Sequence, residues 1–203
     1  MVIPAILTTK KLELLEEISF AKNLSSKVHI DIMDGTLTKE KTLNLNEIPS
    51  IKGIKLELHL MVNNPSLYKE DIERLNPQTI IVHVEIPDFE NEVTKLKGNW
   101  EIFAGVDLNT DITEQKKYIP IVDGFLIMSV EIGLSGQLFN KPTLDKVAFL
   151  KKELVKTIGV DGGVKEDNIK MIMDSGASYA VSNSSIYKAQ NIKDAIVTLN
   201  SIS

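Results

Sequence analysis

The sequence predicts an α/β chain of the (β/α)₈ barrel, or TIM-barrel, class, built as a single domain over residues 1–203. Three observations predict it. Eight apolar runs of five to eight residues recur, amphipathic polar stretches separate them at an interval of roughly 25 residues, and no Pro/Gly/Ser-rich linker or composition shift divides the chain. An open doubly wound sheet is the alternative, but most such sheets carry fewer strands. A length of 203 residues lies at the lower limit of the barrel.

The strands are read at 2–7, 27–34, 55–62, 79–85, 101–108, 124–130, 156–161 and 179–183. Helices are read at 10–24, where Leu14, Leu15, Ile18 and Ala21 recur at helical spacing, and at 66–76, 88–98, 142–154 and 165–176. Gly176 supplies a C-terminal stop for the last of these. The stretch after the second strand is the least helical, because Pro49 cuts any helix short. A short helix is read in Ser-Ser-Ile-Tyr-Lys-Ala after the eighth strand.

Composition narrows the chemistry. The chain has no cysteine, which excludes a disulfide framework, a thiolate nucleophile and cysteine-ligated metals. A net charge of -5 argues against a nucleic-acid partner, whose footprint is usually basic. There is no 18-residue apolar run, and the opening Met-Val-Ile-Pro-Ala-Ile-Leu has no basic region or cleavage site; neither a membrane span nor a signal peptide is expected, and a cytoplasmic location is the default. No G-x-G-x-x-G follows a strand, so a nicotinamide cofactor is not expected.

In a barrel the site is built at the C-terminal strand ends. The two-residue period puts His29, Asp31 and Met33 on one face of the second strand and Val28, Ile30 and Ile32 on the other. The third strand repeats this with Glu57, His59 and Met61, and the fourth with His83 and Glu85. A lone histidine is more often a satisfied core residue than a ligand, but all three fall on an inward face beside a carboxylate. Asp161 ends the seventh strand. Two histidines with two carboxylates make a mixed N/O site for one divalent ion such as Zn²⁺, Fe²⁺, Mn²⁺ or Co²⁺. None of these inward positions is a lysine, which argues against a lysine-dependent decarboxylase or Schiff-base aldolase.

A second group concerns anions. Gly133, Ser135 and Gly136 follow the sixth strand, Gly162 and Gly163 the seventh, and Asn183 and Ser184 the eighth. Each glycine alone reads as a turn residue, but barrels commonly hold phosphate in the loops after strands seven and eight. A phosphorylated small substrate beside a divalent metal is the expectation.

Six collinear strings, HIDIMDG (29–35), HLMV (59–62), HVE (83–85), MSVEIGLSGQLF (128–139), VDGGV (160–164) and VSNSSIYKA (181–189), resemble the ribulose-phosphate 3-epimerase family over nearly the whole chain. The resemblance implies a metal-dependent barrel that interconverts D-ribulose 5-phosphate and D-xylulose 5-phosphate through a metal-stabilised cis-enediolate. It implies His29, Asp31, His59 and Asp161 as metal ligands, Asp31 and Asp161 as the acid/base pair, and Met33, Met61 and Met128 as residues that cap the site beside His59. Two carboxylates are wanted because inversion at C3 removes a proton from one face and returns one to the other.

The sequence departs from the family pattern at the substrate positions. Ala5 replaces a serine, Lys10 an aspartate, Thr36 to Glu40 a typical lid segment, and Asn183 a glycine of the phosphate pair. These departures leave two alternatives open: a 3-epimerase for a hexulose phosphate such as allulose 6-phosphate, and a catalytically weak phosphosugar-binding regulatory barrel. Scattered leucines on the helices are compatible with a homo-oligomer.

Overall fold

Val28, Ile30 and Ile32 alternate with Lys27, His29, Asp31 and Met33, and Leu56, Leu58 and Leu60 alternate likewise with Glu57, His59 and Met61. Such runs form strands with an apolar outer face that must be covered and an inner face of separate character. A computed structural model of the chain describes residues 1–133, 136–153 and 155–203. The described residues form eight parallel strands: β1 (Val2–Ile6), β2 (Lys27–Met33), β3 (Lys55–Met61), β4 (Thr79–His83), β5 (Glu101–Val106), β6 (Gly124–Met128), β7 (Ile158–Asp161) and β8 (Tyr179–Ser182). Each pairs with the next in chain order, and β8 pairs with β1 to close the barrel. Each observed strand lies within its expected range.

Outside lie α1 (Lys11–Leu24), α2 (Lys69–Leu75), α3 (Phe89–Leu96), α4 (Ile112–Gln115), α5 (Thr143–Lys152), α6 (Ile169–Asp174), α7 (Ser184–Tyr187) and α8 (Ile192–Ile202). α1 buries Leu14, Ile18 and Ala21, whereas Leu15, expected on the same stripe, is 42% exposed; the i, i+4, i+7 row is the one facing the sheet. The helix expected at 66–76 is a 3₁₀ turn (Pro65–Tyr68) followed by α2. That expected at 165–176 starts four residues later, because Asn168 ties back to the Lys165 N–H and the Gly163 carbonyl. The stretch after β2 contains one 3₁₀ turn, Leu45–Glu47, ahead of Pro49. Two helices were not read from the sequence. One is α4; the other is α8, which Asn191 caps through the N–H groups of Lys193 and Asp194 and which packs against α1 and β1. No described helix is long and apolar enough to cross a membrane.

The barrel interior is divided by chemistry. Ile3, Ile81, Phe103, Leu126, Met128 and Val181 form an apolar cluster contributed by β1, β4, β5, β6 and β8. β2, β3 and β4 instead bring in buried polar side chains, Lys27, His29, Glu57, His59, Thr79 and His83, with Ile81 of β4 the apolar residue between the last two. β2 and β3 pair over all seven residues, with His29 opposite Glu57, Asp31 opposite His59 and Met33 opposite Met61.

Close packing at the lower rim is strictest at Gly124, where an added Cβ would lie 2.7 Å from the Phe103 ring and 2.7 Å from the Thr157 carbonyl oxygen. A backbone oxygen cannot turn aside as a flexible side chain can. Gly124→Ala is therefore expected to destabilise the fold by about 1–3 kcal/mol, read as a lower urea midpoint; an unchanged midpoint would show that this rim can open.

Candidate active site and metal centre

β2 delivers His29 and Asp31, β3 delivers His59, and β7 ends at Asp161; these four residues place one ligand atom each within 4.8 Å of all the others. Asp31 Oδ1 lies 2.8 Å from His59 Nδ1 and 3.3 Å from His29 Nε2, while Asp161 Oδ2 lies 3.7 Å and 3.8 Å from the same two nitrogens. Donors about 2.1 Å from a common ion stand roughly 3.0–3.4 Å apart at right or tetrahedral angles, so the cluster is close to that scale.

The remaining ring nitrogens decide what the cluster offers. His29 Nδ1 lies 2.8 Å from Glu57 Oε1. An ionised carboxylate only accepts, so a proton belongs on Nδ1; Nε2, 3.3 Å from Asp31, donates to that carboxylate until an ion displaces its proton and takes up the lone pair. His59 Nε2 lies 2.8 Å from His83 Nε2, and His83 Nδ1 lies 3.0 Å from Glu85 Oε2. His59 Nδ1, 2.8 Å from Asp31 Oδ1, is the second nitrogen turned to the cluster, and its lone pair is available to an ion when the ring proton sits on Nε2 toward His83. Two imidazole nitrogens and two carboxylates thus converge on one point, where a proton or a cation must lie between nitrogen and carboxylate. The donor set fits a divalent ion of borderline hardness, and the buried carboxylates behind both rings are the supports that metal-ligating histidines usually have.

Titration behaviour follows from the same contacts. Burial works against the charged form of His29, but hydrogen bonds to Asp31 and Glu57 outweigh it and raise the imidazole to about 10. His59 is lowered to about 4, burial and the neighbouring His83 and His29 outweighing its bond to Asp31. Burial also opposes the Asp31 carboxylate, but bonds from both histidines hold it well below the usual range. Asp161 is raised to about 7 by burial together with the charges of Asp31 and Glu57.

A cavity of about 570 Å³, counting space open to solvent, lies above the cluster. Asp31, His59, Met61, Met128 and Asp161 line it, as do Gly133, Gly136, Gly162, Gly163, Asn183 and Ser184. His29 lies beneath, fully buried. Met33, expected beside the other methionines, instead lines a neighbouring groove with Leu7, Lys10, Glu13 and Thr42, although it pairs with Met61 in the β2–β3 register. Ser135 falls outside the described residues. Gly162 has φ +99°, and a Cβ there would collide with Val130, so this loop requires glycine on both counts. Ala5 lines the cavity and offers its carbonyl to Asn183 Nδ2 at 2.7 Å, which commits the Asn183 side chain to joining β8 to β1. The loop at 36–40 is ordered: Asp34 accepts from the Thr36 N–H and hydroxyl and from Tyr68, and Thr38 lies against Gly133 of the loop after β6.

One inward residue is not among those read from the sequence. Lys27 is an inward-facing lysine, 9% exposed, on the same face of β2 as His29. It lies four residues, about 13 Å along a strand, below Asp31 and bonds Glu57 and Thr79, so it is no part of the strand-end cluster. Carrying the two-residue period back by one step from His29 locates it in the sequence. Tyr179, whose hydroxyl lies 3.3 Å from both Glu57 oxygens, carried no such signal, since only barrel closure brings β8 to β3.

A closed parallel barrel with its ionisable groups gathered at the C-terminal strand ends defines an enzyme of the TIM-barrel class. Solved structures share the fold at 11–15% identity: KGPDC from Streptococcus mutans (TM-score 0.76, 11% identity, 99% of this chain and 95% of that one) and orotidine 5'-phosphate decarboxylase from Pyrococcus horikoshii (TM-score 0.72, 15% identity, 100% and 98%). The chain belongs to the ribulose-phosphate 3-epimerase family, whose profile matches residues 1–187, and it is thereby an isomerase-class enzyme. Its relatives include the ribulose-phosphate 3-epimerase of Helicobacter pylori strain J99, 32% identical over 99% of this chain and 97% of that protein. The protein of the same name from Chlamydia pneumoniae is 30% identical over 86% of this chain and 82% of its own. A further match, to Helicobacter pylori strain 26695, is 35% identical over 63% of this chain and 62% of that protein.

Ligation needs bare lone pairs, so a proton on His29 or Asp161 must leave when an ion binds. With His29 at about 10 and Asp161 at about 7, affinity rises with pH, more steeply below about 7 than above it. Calorimetry on chelator-stripped protein in buffers of different ionisation enthalpy is expected to show about two protons released per ion at pH 6 and about one at pH 8. Equal release at both would contradict the assignment to Asp161.

Proposed function

We propose that the chain is a metal-dependent epimerase that inverts carbon 3 of a ketose phosphate, with D-ribulose 5-phosphate and D-xylulose 5-phosphate as its substrate pair. The observation that carries this reading is the meeting of two carboxylates, Asp31 from β2 and Asp161 from β7, in one cavity with two metal-type histidines between them. The name its relatives carry points to the same sugar.

Epimerisation at C3 needs a base on one face of the substrate and an acid on the other. In this reading one of the two aspartates, as a carboxylate, takes the C3 proton and leaves an enediolate, and the other, which has taken up a proton from solvent with the substrate bound, gives that proton to the opposite face, so the two end with their protonation states exchanged. Reversal of the roles runs the reaction backward. The four ligands proposed are His29, Asp31, His59 and Asp161; an ion held there supplies Lewis-acid stabilisation of charge on the substrate oxygens. His59, Met61 and Met128 wall the reacting end of the cavity and restrict water. Gly162 and Gly163 after β7, with Asn183 and Ser184 after β8, stand where barrels commonly hold phosphate, and Gly133 and Gly136 close the cavity from the β6 side. Met33 is placed to influence the site through its neighbouring groove.

Asp31→Asn and Asp161→Asn are each expected to reduce turnover about 10²–10⁴-fold or more and to weaken metal binding. Retention of most activity by either would contradict the paired assignment. A coupled epimerase assay on protein stripped of metal and then reloaded is expected to lose and regain turnover; activity indifferent to chelation would sink the metal role.

Asn183, bonded to the Ala5 carbonyl, puts a side chain in the wall on the β8 side where the family pattern has a glycine, which favours keeping a hexulose phosphate such as allulose 6-phosphate as a second reading. Comparison of kcat/KM separates the two: the pentulose phosphate is expected to be the better substrate, and a good hexulose rate beside absent pentulose turnover would reverse the assignment.

A further inference from the structure

Beneath the ligand cluster the barrel holds a second charged layer that the epimerase chemistry does not touch. Glu57 has no exposed surface, and both its oxygens are engaged. Oε1 lies 2.8 Å from His29 Nδ1, Oε2 accepts from Lys27 Nζ at 2.9 Å, and the Tyr179 hydroxyl lies 3.3 Å from each. Lys27 Nζ also donates to Thr79 Oγ1 at 3.2 Å. Four strands, β2, β3, β4 and β8, therefore fix the position and plane of one carboxylate against the rear of one ligand imidazole.

We propose that Glu57, held by Lys27 and Tyr179, is a positioning residue that keeps His29 as the Nδ1–H tautomer and presents its Nε2 lone pair to the divalent ion. The inference rests on the metal reading above. His29 is fully buried, so no solvent is at hand to satisfy its rear nitrogen, and the tautomer is decided by whichever protein group meets it. A carboxylate there accepts the Nδ1 proton and raises the basicity of the far nitrogen more than a neutral acceptor would. Lys27 compensates the charge, without which an isolated buried carboxylate would be costly. Packing alone does not account for the layer. A buried ion pair is often no more stable than apolar residues of the same volume, and the opposite half of this interior is filled by such residues, among them Phe103, Leu126 and Val181.

The test is the double variant Lys27→Met/Glu57→Gln, which strands no buried charge and leaves an amide carbonyl to accept from His29. Native and variant proteins stripped with chelator are titrated with Co²⁺ and followed by d–d absorption, and their thermal unfolding is measured without metal. The expected result is a Co²⁺ Kd raised about 10–100-fold with shifted d–d bands, while the stripped variant melts no lower than the native protein. An unchanged Kd and spectrum would overturn the proposal. Weakened Co²⁺ binding matched by a lower melting temperature would overturn it as well, by showing a packing role. Should the variant not fold, the Zn²⁺-loaded native protein decides: ¹H–¹⁵N correlation spectra are expected to show a slowly exchanging proton on His29 Nδ1, and a bare Nδ1 would overturn the proposal. Native protein that binds no Co²⁺ defeats the metal reading and this inference with it, whereas equal binding by native and variant defeats this inference alone.

Discussion

The constraint on which the rest of the structure depends is the burial of charge along β2 and β3. Their full seven-residue register sets His29 against Glu57 and Asp31 against His59, inside a barrel where an unpaired charge would be costly. Each group is consequently held by a partner on the next strand, and each partner by another: Glu57 by Lys27, and His59 by His83 and then Glu85. A one-residue slip in this pairing would turn every one of these side chains toward the helices and the leucines inward. The same outward leucines, isoleucines and valines, covered by α1, α2 and α3, are what keep the register from slipping.

Around that fixed centre the wall of the cavity has more freedom. The loops after β6, β7 and β8 meet it with glycines and small polar residues, and here the chain departs from its family's pattern at Ala5 and Asn183. Neither departure disturbs the ligand cluster, since Asn183 bonds to backbone and Ala5 contributes only its carbonyl. The loop at 36–40 lacks the family's lid sequence but is ordered by Asp34, Thr36 and Tyr68 and reaches the β6 loop at Gly133. The chemistry is thus held by strands, and the shape that selects a sugar is held by loops.

Much of this was legible in the sequence because the barrel is periodic. Alternation alone placed His29, Asp31, His59 and His83 on the inner face, and the run spacing located all eight strands. What alternation could not show was proximity between strands distant in the chain. The bond of Tyr179 to Glu57 exists because the barrel closes, and Met33 lines the groove beside Leu7, Lys10 and Thr42 rather than the main cavity. Lys27 is legible by the same periodicity, one step before His29, but it lies at the start of β2, away from the strand ends where barrel chemistry gathers. α8 also left a signal, with Asn191 as its cap and Ile192, Ile196 and Leu199 on one stripe.

The central claim is that this centre moves a proton at carbon 3 of a ketose phosphate with the help of a divalent ion. The most direct measurement incubates D-ribulose 5-phosphate with the metal-loaded protein in D₂O and follows the C3 hydrogen by NMR. The account predicts deuterium at C3 in both epimers, with exchange abolished by chelation and by Asp161→Asn. Binding of the sugar phosphate without any deuterium at that carbon would contradict it.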